Sequence, residues 1–208
     1  MKARFWLLGL IFLLLINAAW IWRLDQNNKE NNLRMNDTRD RFIEANRELY
    51  LLNRDWRFSM KSNDKPLPFH LQVQSTDGKT SIIDKFLGST KKLVLVLSDR
   101  HCSTCVDQLL LMVKTEIPEF YRNNILVLFS TEEQASRVQW QHRKRILQGA
   151  EFLEIDDRSL NLPMDSLGNP YFFITGPDQI AGFAFTPYPS LEAQTKEYLG
   201  LIKERYFN

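Results

Sequence analysis

The sequence predicts an α/β fold, a mixed sheet with helices on both faces, carried behind a long polar segment and an apolar N-terminus. Three observations predict it. Two continuous apolar runs of strand length, "KKLVLVLS" (91–98) and "NILVLFS" (124–130), read as strands buried on both faces, and a helical pattern follows each. Two further β patterns, "YFFIT" (171–175) and "IAGFAF" (180–185), flank a Gly-Pro-Asp turn and read as a hairpin. Strand-helix-strand-helix, then a hairpin and a closing helix, is the order of a mixed sheet covered by helices. The composition agrees, since 208 residues with 44% hydrophobic and 25% charged content are those of a globular chain.

Taken from the N-terminus, Phe5 to Trp22 carries no charge and one amide, Asn17, and as a helix extends about 27 Å, close to the hydrocarbon thickness of a bilayer. Lys2 and Arg4 precede it, and Phe5, Trp6, Trp20 and Trp22 bracket it as interfacial aromatics do. It reads as a signal-anchor: residues 1–4 form a cytoplasmic tail, 5–22 the span, and the remainder lies outside the cytoplasm. The competing reading is a cleavable signal peptide ending near Ile16-Asn17-Ala18. Both export the rest of the chain.

Residues 23–65 are polar and nearly free of glycine and proline, a helical stalk. Within it Met35, Thr38, Phe42, Ala45, Leu49, Leu52 and Trp56 recur at alternating steps of three and four, the spacing of a helical seam. Two readings fit: a short coiled coil that makes a homodimer through residues 35–56, or an amphipathic helix lying on its own domain. Pro66 and Pro68 in "KSNDKPLP" break the helix and start a domain at 66–208. "FHLQVQS" (69–75), a turn at Asp77-Gly78 and "KTSII" (79–83) predict an N-terminal hairpin. Next come the strand at 91–98, a helix from Cys102 to about Ile117, the strand at 124–130 and a helix from Thr131 to about Leu147. "EFLEI" (151–155), the hairpin and a helix from Leu191 to Tyr206 complete the domain.

The net charge of +2 is the small difference between 27 basic and 25 acidic residues, and no long run of one sign occurs, which argues against a nucleic-acid surface. The two cysteines are too few for a disulfide framework and supply half of a structural zinc site. They stand together as Cys102-Ser103-Thr104-Cys105, directly after a buried strand and at the start of a helix. At the N-cap, Cys102 meets unpaired backbone N–H groups and the positive end of the helix dipole, which favour thiolate over thiol. Cys105 lies one turn deeper, placed to close a Cys102–Cys105 disulfide and to resolve a mixed disulfide with a substrate. Ser103 and Thr104 are candidates to tune the potential through hydrogen bonds to sulfur, and His101 by favouring the thiolate if protonated.

"FHLQVQSTDGKTSIIDKF" followed by "LVLVLSDRHCSTC" resembles exported, membrane-anchored thioredoxin-like proteins of the TlpA/ResA type, and "LGNPYFFITGPDQIAGFAF" resembles their segment in which a cis-proline opens a strand and hairpin. The resemblance spans about residues 66–208 and implies a thioredoxin-like sheet. It implies a thiol-disulfide oxidoreductase with Cys102 as nucleophile, Cys105 as resolving thiol, Pro170 as the cis-proline and Asn169 as the edge that binds a substrate peptide. The implied setting is the bacterial inner membrane, single-pass, with the domain in the periplasm or otherwise outside the cytoplasm. The implied partners are exported protein thiols or disulfides and an upstream electron donor, with no cofactor and no metal. The chain departs from the pattern at His101, where the family usually has Trp, at Ser103-Thr104, where proline usually occurs, and at Asn169, where Thr or a similar residue is usual.

Other chemistries fit less well. A c-type haem site needs a histidine after the second cysteine, where Val106 stands. Zinc lacks two ligands, because His70 and His142 have no ligand spacing with the pair. Copper delivery uses two thiolates and a distant histidine, for which His142 is the candidate, although "QHRKR" reads as a solvated helix face. A peroxidatic cysteine needs a Pro and Thr or Ser lead-in that "LSDRHC" lacks. Asp99 and Glu116 are candidate proton acceptors for Cys105. A non-catalytic binding or assembly module, dimerised by its stalk, is the alternative from another functional class.

Overall fold

A computed structural model describes residues 2–68, 70–88, 90–98, 100–131, 136–156 and 159–207, with residues 2–12, 136 and 137 described as backbone only. The chain divides into two compact units, Met1–Leu52 and Asn53–Asn208.

The first unit is helical, part of α1 (Lys2–Ser62). The absence of glycine and proline from 10 to 65 leaves nothing to interrupt the i to i−4 ladder, and ion pairs one turn apart, such as Lys29 with Asp25 and Arg34 with Glu30, line its surface. The seam residues Met35, Phe42 and Leu49 are 63 to 70% exposed. No helix among the described residues is long and apolar enough to cross a membrane. The side chains of Phe5–Phe12, which begin the expected span, lie outside what the structure describes.

The second unit begins with the last turns of α1 and continues through eight strands: β1 (Lys65–Pro66), β2 (Gln72–Ser75), β3 (Thr80–Ile82), β4 (Lys92–Ser98), β5 (Ile125–Ser130), β6 (Glu151–Glu154), β7 (Tyr171–Thr175) and β8 (Ile180–Phe185). They form one mixed sheet in the order β1-β8-β7-β4-β5-β6-β2-β3. The central pair β4–β5 is parallel, with Leu95 opposite Val127; β6 is parallel to β5; and β7 is antiparallel to β4, with Leu95 opposite Phe172. The hairpin β2–β3 extends the far edge by pairing β2 antiparallel to β6, and the hairpin β7–β8 turns at Gly176 to Gln179. The expected strands and both expected hairpins are present; β1 and the short helix α2 (Asp84–Leu87) were not expected.

Alternation along the central strands divides the core in two. Leu93, Leu95 and Leu97 of β4 and Ile125, Val127 and Phe129 of β5 face α3 (Ser103–Glu116), α4 (Ser136–Ile146) and α5 (Glu192–Tyr206). Val94, Leu126, Leu128 and Phe173 face the other side, with Leu87 of α2, Met164 of a 3-10 turn (Pro163–Leu167) and Phe58 of α1. The helices α3, α4 and α5 therefore share one face, and α2 with the end of α1 lies on the other, so helices flank both faces as expected. The reason that α3 and α4 share a face is topological: β4-α3-β5 and β5-α4-β6 are consecutive crossovers stepping in one direction, and crossovers of one hand place both helices on the same side.

Candidate functional site

The Cys102–Cys105 pair lies where β4 hands over to α3. β4 ends at Ser98, the chain turns through a His101 N–H to Ser98 carbonyl bond of 3.1 Å, and α3 starts at Ser103 with Cys102 as its N-cap. Cys102 has the extended backbone of a cap (φ −51°, ψ 118°), and its Sγ accepts the Cys105 N–H at 3.4 Å. Both cysteines are free thiols, Cys102 exposed and Cys105 half-buried. The hydrogen bond from the Cys105 thiol, then the backbone N–H groups of Cys105 and Thr104, lower the Cys102 pKa. Cys105 moves the other way: its thiol is held protonated by Cys102, and burial adds to the rise. Between the two sulfurs, negative charge is thus favoured on Cys102 over Cys105.

A groove of about 790 Å³ opens beside the two sulfurs. Asn169 and Pro170 line it, so the structure brings together the two pairs of residues that the sequence singled out from positions 64 to 68 apart. Asn169 follows Gly168, whose left-handed backbone (φ 64°, ψ 24°) ends the Pro163–Leu167 turn and redirects the chain toward β7. The expected cis-proline is corrected: no cis peptide bond occurs among the described residues, and Asn169–Pro170 is trans. With Gly168 already reversing the chain, the intrinsically favoured trans bond is accommodated.

His101 lines the groove, and its Nδ1 accepts the Ser98 backbone N–H at 3.0 Å, which places the proton of the neutral ring on Nε2. Ser103 does not turn to sulfur. Its Oγ accepts from Arg143 Nη2 at 2.9 Å, while Arg143 Nε bonds Asp107 Oδ1 at 2.8 Å. Thr104 contributes its backbone N–H toward Cys102, and no side-chain bond of Thr104 to sulfur is present among the described residues. Glu116 ends α3, eleven residues and about 16 Å of helix from Cys105, and is corrected as its proton acceptor. Asp99 lies outside the described residues.

Arg143 was missed by sequence reasoning, and it corrects the reading of "QHRKR" as a solvated face. The residue is 3% exposed, and its guanidinium lies 4.5 Å from the Trp140 ring centroid, with Trp140 in turn stacked on Phe129 of β5. It ties α4 to the first turn of α3 beside the cysteines. The spacing Trp140 to Arg143, one helical turn, is the signal that locates it. Its neighbour His142 is exposed and does not line the groove, and among the described residues no three His, Cys, Asp or Glu side chains converge to hold a metal.

Tyr188 was also missed. It lines the groove and donates to the buried carboxylate of Asp55, and burial together with that carboxylate pushes the phenol up to about 12, so it stays a donor at physiological pH.

No family model matches the sequence, and no curated protein matches it. Solved structures similar to it include a thiol:disulfide interchange protein from Bacteroides sp., at 9% identity and TM-score 0.49, with 70% of this chain and 91% of that one covered. The thioredoxin domain of a thiol-disulfide oxidoreductase from Bacteroides vulgatus matches at 11% identity and TM-score 0.44, covering 66% and 97%. Arabidopsis thaliana ScoI with copper bound matches at 11% identity and TM-score 0.44, covering 64% and 96%.

Proposed function

We propose that this chain is a thioredoxin-like thiol-disulfide oxidoreductase of the TlpA/ResA type, held in the bacterial inner membrane by Phe5–Trp22, with its domain in the periplasm reducing disulfides of selected exported proteins. The observation that carries the reading is the thiol pair at the α3 N-terminus, Cys102 as N-cap accepting the Cys105 N–H with its pKa lowered while that of Cys105 is raised, opening on a groove lined by Asn169 and Pro170. The Cys102 thiolate attacks one sulfur of a substrate disulfide, forming a mixed disulfide and releasing the other substrate sulfur as a thiolate. Cys105 then loses its proton and attacks Cys102 Sγ, closing the Cys102–Cys105 disulfide and expelling the second substrate thiolate. Two electrons pass to the substrate. An upstream dithiol donor returns them by the reverse exchange. The two sulfurs carry the electrons, and the chemistry calls for no cofactor.

Replacing the resolving thiol tests this. Cys105→Ser stalls the reaction at the mixed disulfide, so incubation of the reduced variant with insulin gives a covalent adduct at Cys102 that dithiothreitol releases, while the unsubstituted chain turns insulin over. Absence of both turnover and adduct favours the non-catalytic binding module. Copper delivery would show instead as tight one-to-one Cu binding by the reduced chain that His142→Ala abolishes.

A further inference from the structure

One wall of the groove is held by a residue that the sheet does not supply. Tyr188 stands in "TPYPS", between Pro187 and Pro189, and its hydroxyl has three partners. It donates to Asp55 Oδ2, and it accepts from Arg54 Nη2 at 3.2 Å and from Asn169 Nδ2 at 3.4 Å. A phenol hydroxyl donates once and accepts at its lone pairs, so the donation to Asp55 turns the oxygen's acceptor side toward Arg54 and Asn169. Asp55 is 6% exposed and accepts at its other oxygen from Arg54 Nε at 2.9 Å. It precedes Tyr188 by 133 residues and belongs to the last turns of α1. Those turns are fixed to the domain at further points: Ser59 Oγ donates to the Ala184 carbonyl, Ser62 Oγ accepts the Met164 N–H at 3.2 Å, and Asn63 Oδ1 accepts the Ala184 N–H at 3.2 Å.

We propose that Asp55 is a positioning residue for the substrate groove: through the Tyr188 hydroxyl it orients the Asn169 side chain, so that recognition of polypeptide disulfides depends on the end of α1. The inference rests on the exchange reading above and adds the class of substrate that the network selects. A small disulfide needs only the exposed sulfur of Cys102. A polypeptide running past Asn169–Pro170 meets Asn169 and Tyr188. Asp55 itself is not among the residues lining the groove, so it acts through the two groove residues.

The test uses the full chain in detergent micelles. Reduced protein is reacted with insulin and, separately, with the small aromatic disulfide 5,5′-dithiobis(2-nitrobenzoate). Asp55→Ala is expected to raise KM for insulin about tenfold and to change the small-disulfide rate less than twofold; Asp55→Asn, whose amide oxygen still accepts from the hydroxyl, restores most of the insulin KM. Tyr188→Phe matches Asp55→Ala on insulin, and the double variant is no worse than either, because both substitutions cut one path. The second readout needs no activity: the Asn169 side-chain amide 15N resonance shifts in Asp55→Ala and in Tyr188→Phe. An Asn169 amide unmoved by Asp55→Ala overturns the positioning role, as does a parallel fall of both disulfide reactions or an additive double variant. A wild-type chain inert toward insulin overturns the exchange reading instead, and the amide shift then decides the Asp55–Tyr188–Asn169 link alone.

Discussion

At Cys102 the helix start and the neighbouring thiol act in the same direction. The Cys105 thiol and the backbone N–H groups of α3 all stabilise negative charge on one exposed sulfur, and the same hydrogen bond raises the pKa of Cys105. Arg143 supports this start from behind by gripping Ser103 and Asp107 at once, a two-point contact that a lysine cannot reproduce. Because Arg143 is buried while Asp107 is partly exposed, its worth lies in packing on Trp140 and in satisfying Ser103 rather than in the ion pair alone. Arg143→Ala is therefore expected to lower stability by about 2 kcal/mol in urea denaturation. Arg143→Lys should recover only part of it, and equal stability of all three proteins would contradict the two-point grip. The thiol pair was legible in the sequence because its spacing and its place after a buried strand are local. The grip of Arg143 was not, since a basic run on a helix looks solvated until the fold supplies Asp107 and Ser103 36 and 40 residues away.

Among the elements, α3 and α1 illustrate what periodicity reveals and conceals. The helix over Cys102 to Ile117 was expected from its apolar residues and its stop at Pro118, and α3 runs from Ser103 to Glu116 with Val106, Leu109, Leu110 and Val113 buried. In α1 the visible pattern was the seam through Met35, Phe42, Leu49 and Trp56, which is exposed. The face that the domain buries is a different one, marked by Asp55, Phe58, Ser59 and Ser62 at steps of three and four, and it was hidden because three of those four residues are polar. The coiled-coil reading of this seam has a direct test. Phe42→Glu combined with Leu49→Glu is expected to convert a dimer to a monomer by sedimentation in detergent, leaving insulin turnover per domain unchanged. A chain that is monomeric before substitution rules the seam out as a dimer interface.

For the whole molecule, two crossovers in one direction stack α3 and α4 against the same side of the sheet, and that shared side is what lets Arg143 reach the cysteine turn. The order of elements was legible because β4 and β5 are apolar runs bounded by clear breakers; which helix takes which face was not, because handedness and strand order are properties of the assembled sheet. Leu95 lies at its centre, fully buried between Val127 and Phe172, so Leu95→Ala should cost about 3 kcal/mol of unfolding free energy, measured by urea denaturation, and a loss below about 1 kcal/mol would contradict the core assignment. Sheet, crossovers and grip place the Cys102 sulfur at the groove, where the proposed exchange calls for a thiolate. Its direct test is alkylation of the reduced full chain with iodoacetamide across pH, with each modified cysteine identified by peptide mass spectrometry. A lowered pKa means more thiolate at any given pH, so Cys102 should be modified first, with a midpoint below the ordinary thiol value, and Cys105 only above it. Equal modification of both at the ordinary thiol value, or modification of Cys105 first, would contradict the assignment of Cys102 as the nucleophile.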